Sequence, residues 1–348
     1  MLEIEHLVRY KLFFLLIGVN IILGQKHPND KIDSLLKSGI DNIILQDYSA
    51  ASKCFIDLNN SFPNHPLGNI YLAATEIARS VDYAEILNER LIDSLLSIAQ
   101  LKTDELLEND SDNLWYNYYS ALIYGYKAYF FSISGNIISA FADGILSLRS
   151  FQKCLSINDR FYEAYIAMGS YNYWKSAQTK SLLWIPFVSD NRDEGIKHLE
   201  QAIDSSSYNK YLAAYSLIWI YIDYGESEKA VELSLKMLSN YSGSRYFKWG
   251  LARAYQDVDK NKSIETYTEI LLSIESNNKR NQFNDIVLRH KLAMLNYDIR
   301  KYNVAFDLCN EILDFKFKSV QIKERLKDRI ERTQILREKI LDELESNR

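Results

Sequence analysis

Five histidines, three cysteines and one short acidic run are the residues whose types could do chemistry, and their spacing argues against it. His6, His27, His65, His198 and His290 are scattered along the chain. His198 lies four residues after Glu194, so the two share a helix face. A surface hydrogen bond is the ordinary outcome of such a pair; a metal half-site or an acid/base pair is the sharper one. The run Asp190-Asn191-Arg192-Asp193-Glu194-Gly195 lacks the alternating oxygen ligands and final bidentate Glu of a calcium loop, and reads as a helix start favoured by the dipole. Cys54, Cys154 and Cys309 form no C-x-x-C and no disulfide framework; each falls in apolar helical periodicity, as a small core residue does. Phosphate-binding loops, nucleophile elbows and H-E-x-x-H are absent. No catalytic residue, metal or cofactor is therefore expected.

The elements that would position any site are helices. Among 348 residues there are only 4 Pro and 12 Gly, too few for the frequent turns of an all-β fold. With a net charge of −5 and basic residues mixed with acidic ones, the chain has no Lys/Arg stripe for nucleic acid. Residues 12–24, LFFLLIGVNIILG, are too short to cross a bilayer, which takes roughly 20 residues. Preceded by Arg9 and Lys11 and ending at the small Gly24, they read as a signal peptide, residues 1–24, with Gln25 as the exported start. No cysteine near Gly24 supports a lipid anchor. The expected place is the periplasm or the cell envelope; membrane association is compatible with the chain but not required.

One spacing recurs: a small residue, another twelve residues on, then large apolar residues four and seven further. It reads Gly39, Ala51, Phe55, Leu58 and again Ala293, Ala305, Cys309, Ile312; Ala252, Ser263, Tyr267, Ile270 repeats it one residue shorter. A fourth copy holds Tyr221, Gly225, Ala230 and Met237. Small residues let two antiparallel helices approach, and the large ones fill the space beneath. Two central copies are stretched, Gly125 to Ser147 and Gly169 to Gly195. The first predicts a lengthened pair over 112–157 around Gly135-Asn136, the second an inserted apolar loop over 176–190.

These units resemble tetratricopeptide repeats, whose period is about 34 residues. The best match is SLIWIYIDYGESEKAVELSLKM, residues 216–237, although consensus Trp and Pro positions are mostly missing. The resemblance implies an all-α, right-handed solenoid of about seven antiparallel pairs over 25–316. A charge-laced C-terminal helix over 317–348 would cap its last apolar face. It also implies binding on inward helix residues, which carries over to Tyr173, Tyr215, Trp219, Tyr246, Trp249, Arg253, His290 and Tyr297. Aromatic groups with Arg and His suit peptide or sugar recognition, and the reading is an exported bacterial scaffold that binds a protein or peptide segment rather than an enzyme. In the inserted loop, Trp184 and Phe187 are candidate contacts, open to three readings: a lid, a partner hot spot or a membrane-interface contact. The alternative function is a glycan- or lipid-binding module using the aromatic groove and residues 181–188.

Overall fold

The computed structural model describes residues 25–179, 189–276, 282–317 and 319–346. Among them are sixteen helices and no strand. Asparagine and aspartate start many of these helices. Asn29, Asp47, Asn88, Asn113, Asn136 and Asp259 each accept a hydrogen bond from a first-turn N–H, satisfying donors that have no intrahelical partner. Gly225 ends one helix at φ 87°, a left-handed cap that a side chain would strain.

Consecutive helices pack as seven antiparallel pairs. They are α1 (Asp30–Ile44) with α2 (Tyr48–Ser61), α3 (Leu67–Asp82) with α4 (Glu89–Asn109), and α5 (Leu114–Ile133) with α6 (Ile137–Ile157). Then come α7 (Tyr162–Gln178) with α8 (Arg192–Ser205), α9 (Lys210–Tyr224) with α10 (Ser227–Asn240), α11 (Arg245–Val258) with α12 (Lys260–Glu275), and α13 (Gln282–Asp298) with α14 (Tyr302–Leu313). Among the described residues the result is an all-α solenoid of consecutive pairs. The C-terminal stretch differs from a single helix: α15 (Val320–Arg325) and α16 (Lys327–Ser346) meet at Leu326. Leu326 is buried with Ile286 and Ile312, and the break lets its side chain reach into the last pair while α16 lies along α14.

The recurrent spacing is the packing itself. Phe55, Leu58, Phe151, Cys154, Leu199, Ala202, Tyr267, Ile270, Cys309 and Ile312 are all buried. A Cβ on Gly39 would sit 2.3 Å from the Phe55 ring, and one on Gly169 would sit 2.7 Å from the carbonyl oxygen of Gly195. At Gly169 and Gly195 it is backbone that touches backbone, so neither side can yield. The serines of the pattern add a bond: Ser147 donates to the Ala121 carbonyl at 2.8 Å and Ser263 to the Ala252 carbonyl at 2.7 Å. Burial pushes the Cys154 thiol up to about 12 and that of Cys309 to about 11, so both stay protonated as core groups.

The α5/α6 pair turns at Gly135, φ 82°, and leaves Ile137, Ile138 and Phe141 largely exposed near its tip. At the inserted segment, the N–H of Asn191 donates to Ser176 Oγ at 2.9 Å, drawing the end of α7 to the start of α8. Trp184 and Phe187 lie outside the described residues.

Two glycines separate packing from propensity. Gly169→Ala should lower stability by about 1–3 kcal/mol through overpacking. Gly144, inside α6 with open space around its Cβ position, should gain about 0.5–1 kcal/mol on mutation to Ala. Urea denaturation of both variants measures this; equal effects would remove the close-approach argument.

Candidate partner-binding surface

Side chains and turns of distant pairs bond directly to one another, joining the first pair to the fourth and fifth. Glu163, at the start of α7, is buried and accepts from the Tyr208 N–H at 2.7 Å, the Asn209 N–H at 3.2 Å and the Asn209 side chain at 2.8 Å. Asn209 Nδ2 also lies 2.8 Å from the Tyr118 hydroxyl. Burial holds Glu163 above the ordinary carboxyl range, and the N–H donors oppose that shift by favouring the carboxylate. Tyr208 in turn donates to Asp33 of α1 at 2.6 Å and accepts from the His27 N–H.

A second closure joins the ends of α1 and α3 to the turn before α11. The Tyr241 hydroxyl donates to Asp41 at 2.9 Å, Ser244 Oγ to the Ile44 carbonyl at 2.8 Å, and the Arg245 N–H to the Gln46 side chain at 3.1 Å. Arg245 and Asp82 form an ion pair with side chains 8% and 11% exposed, so each charge is largely desolvated and depends on the other. The Arg245 guanidinium also lies over the Tyr83 ring.

The sequence scattered the histidines; the fold brings two together. His27 and His65 each accept a backbone N–H at Nδ1, from Asn29 at 3.0 Å and Leu67 at 3.3 Å. In the neutral ring the proton is then on Nε2, and both Nε2 atoms face the Tyr119 hydroxyl, at 2.9 and 3.2 Å. Neither Nε2 offers a lone pair to a metal in that tautomer. They border an open cavity of about 540 Å³ lined also by Phe62, Trp115 and Tyr116, with no charged side chain on its wall. The Glu194–His198 pair does not make the expected surface hydrogen bond: the atoms stand 4.0 Å apart, and the His198 ring stacks on Tyr165 instead.

The inward residues fall into separate groups. Tyr215 stacks on Tyr246 at 4.0 Å, with Trp219 at 6.2 Å, and all three are half-buried. Trp249 meets Tyr267 edge-on at 5.8 Å, and Arg253 pairs with Asp257 at 2.9 Å. Tyr297 packs on Tyr302 at the last pair. Two positions present no open surface. Tyr173 is fully buried and donates to Asp223 at 2.7 Å, because α7 and α9 approach closely there. His290 is 3% exposed because α16 lies over it, with Arg329 Nη1 3.2 Å from its Nδ1. The sequence reading placed Tyr267 only among the large apolar repeat positions and singled out neither Lys291, whose Nζ lies over the Tyr267 ring, nor Arg329 beside His290.

Burial and nearby cations push His290 down to about 4 from an unfolded value of 6.5. A lowered folded value means that stability is complete above pH 6.5 and is lost as pH falls toward 4, because only the unfolded ring takes the proton. At pH 5 this ring alone should remove about 2 kcal/mol. His290→Gln should therefore lose less stability than wild type between pH 7 and pH 5 in urea titrations; an identical loss would contradict the assignment.

No family model matches the chain, and no curated protein matches it. Among solved structures it is similar to PilW, titled a widely conserved type IV pilus biogenesis factor, at 15% identity over 68% of this chain and 94% of that one, TM-score 0.47. It is also similar to a tetratricopeptide repeat protein from Parabacteroides merdae, at 14% identity over 86% and 98% of the two chains, TM-score 0.34. Yeast Tom70 matches at 13% identity over 93% of this chain and 68% of that one, TM-score 0.39. Among the described residues, the fold is an all-α array of seven consecutive antiparallel helix pairs followed by two C-terminal helices.

Proposed function

We propose that this chain is a non-catalytic, extracytoplasmic scaffold that holds a segment of a partner protein on the part of its inner surface left open by the internal closure. One observation carries the reading. The closure at Glu163 and Arg245 uses up the inner face of the first pairs, whereas Trp249, Arg253 and the Tyr215–Tyr246 stack on α9 and α11 stay partly accessible. Half-buried aromatic rings already held by packing lose little freedom on binding, which suits them as anchors. Export rests on the apolar run at 12–24 and its small final residue. No helix among the described residues is long and apolar enough to cross a membrane.

A second reading, an uncharged glycan or lipid-like ligand, is favoured by the cavity beside Trp115, whose wall mixes aromatic rings with Asn64, Asn113 and two neutral imidazoles. Its test is titration of neutral oligosaccharides with tryptophan fluorescence as readout, comparing wild type with Trp115→Phe.

The scaffold reading is tested by affinity capture from envelope extract with wild type and with the Tyr215→Ala/Trp219→Ala/Trp249→Ala variant, after circular dichroism confirms that both fold. The variant should lose the proteins that wild type recovers; identical recovery defeats the inner-face proposal. N-terminal sequencing of the exported protein should begin at Gln25, and a start at Met1 would sink the export proposal.

A further inference from the structure

The lengthened α5/α6 pair ends in a surface unlike the rest of the chain. Residues 128–142, the last turns of α5, the connecting turn and the first turns of α6, hold no Asp, Glu, Lys or Arg, although 25% of the chain is charged. Phe130 is covered by the second pair, packed with Ile77, Ile92 and Leu96. By contrast Ile137, Ile138 and Phe141 are 65%, 85% and 70% exposed, and Tyr129 and Ile133 of α5 are exposed as well. Spacings of three and four residues put Ile137, Ile138 and Phe141 side by side on the first turns of α6. Apolar side chains exposed singly are ordinary, whereas a contiguous group at the end of a hairpin marks a contact surface.

Three features say what would cover it. First, the turn spends its backbone donors on itself. The N–H groups of Ser134, Gly135 and Asn136 donate to the carbonyls of Phe130, Ser132 and Phe131 at 3.0, 3.2 and 2.9 Å. Asn136 accepts from the Ala140 N–H at 3.0 Å through its carbonyl and from the Ser139 N–H at 3.2 Å through its side chain. An apolar phase imposes that condition, because it offers no partner to a free donor. Second, charge resumes at one level on both helices. Lys127 and Asp143 each lie eight residues from Gly135. Ser120 meets Ser150 at 3.2 Å across the pair, and the same antiparallel register sets Lys127 level with Asp143. The cap above that line is about 12 Å deep at the helical rise, and it has no charge with which to orient a protein partner. Third, tyrosines stand near the line: Tyr129 is exposed, and Lys127 Nζ lies over the Tyr124 ring, 5.8 Å from its centre. Amphipathic rings sit in this way where hydrocarbon meets headgroups.

We propose that residues 132–141 form a membrane-seating tip, with Ile137, Ile138 and Phe141 among the upper acyl chains of a phospholipid bilayer and Lys127 and Asp143 at its headgroups. The contact is hydrophobic and needs no headgroup charge; a net charge of −5 favours neutral lipid over anionic lipid. Seating is shallow. No helix among the described residues is long and apolar enough to cross a membrane, and interfacial helices reach roughly 5–10 Å into it, within the depth of the charge-free cap. The inference goes beyond the scaffold reading and does not rest on it, since it concerns α5 and α6 rather than α9 and α11.

The test reads the tip locally, because the apolar run at 12–24 would itself draw the full-length chain to lipid. Cys154 and Cys309 are buried, so Cys54→Ser leaves a single reactive thiol when Ile138→Cys is added, and that thiol takes an environment-sensitive nitrobenzoxadiazole label. With dioleoylphosphatidylcholine vesicles the label should shift to the blue, be quenched by doxyl-labelled lipid and keep its response as NaCl is raised. The same label placed by Lys236→Cys, an exposed position on α10, should stay silent. In the labelled chain Ile137→Ser and Phe141→Ser should each weaken the response roughly tenfold, the scale of one large apolar side chain withdrawn from water. Both positions are exposed, so the urea midpoint should not move. A silent label at 138 while the chain floats with vesicles overturns the proposal. So does a response that appears without vesicles and grows with protein concentration, which would mean a second copy covers the tip. A response confined to phosphatidylglycerol vesicles and abolished by salt overturns it too, since headgroup charge would then be the attraction. Partner capture by α9 and α11 is measured separately, so none of these outcomes decides the scaffold reading.

Discussion

The buried carboxylate of Glu163 is the interaction on which the inner architecture depends. A carboxylate withdrawn from water is costly unless donors replace the solvent. Here the donors come from the turn that leads into the fifth pair: two backbone N–H groups and the Asn209 amide. Satisfying one charge therefore fixes the position of a turn more than 40 residues away, Tyr208 being 45 residues on. Tyr208 then passes the constraint to Asp33 and His27 of the first pair. Without that chain of bonds, nothing in the repeat spacing would require the first and fifth pairs to meet.

The closure decides what the scaffold can offer. An open solenoid presents its whole inner face, whereas in this one the first pairs contact the later turns through Asp33, Asp41, Gln46 and Asp82. The Arg245–Asp82 pair is a buried charge couple of the kind that adds little net stability yet penalises any arrangement that separates it. It holds one geometry of the superhelix.

Departures from the regular repeat divide into two kinds. The lengthened α5/α6 pair keeps the packing rule, since Ser147 still bonds the Ala121 carbonyl and Phe151 and Cys154 still fill the space beneath. Its far end packs against the second pair, where Phe130 is buried with Ile77, Ile92 and Leu96, and leaves Ile137, Ile138 and Phe141 exposed. At the α7/α8 pair the rule tightens: Gly169 and Gly195 bring the two backbones into contact on either side of the inserted segment.

The sequence by itself determined what depends on neighbours along the chain. Helix starts were legible because Asn and Asp satisfy first-turn donors within three residues, and pairing was legible because Gly39, Ala51, Phe55 and Leu58 repeat at the period of a short helical hairpin. The break at Leu326 was not legible, since it answers to burial against Ile286 and Ile312 rather than to a Pro or Gly. Coverage was not legible: neighbouring helices bury Tyr173 and His290. Only the tertiary structure decided that His27 meets His65 over Tyr119 and that Arg245 finds Asp82. Those contacts depend on the radius and pitch of the superhelix, which sum small rotations over many pairs. Residue spacing fixes each rotation only loosely, and the side chains that lock the total lie far apart in the chain.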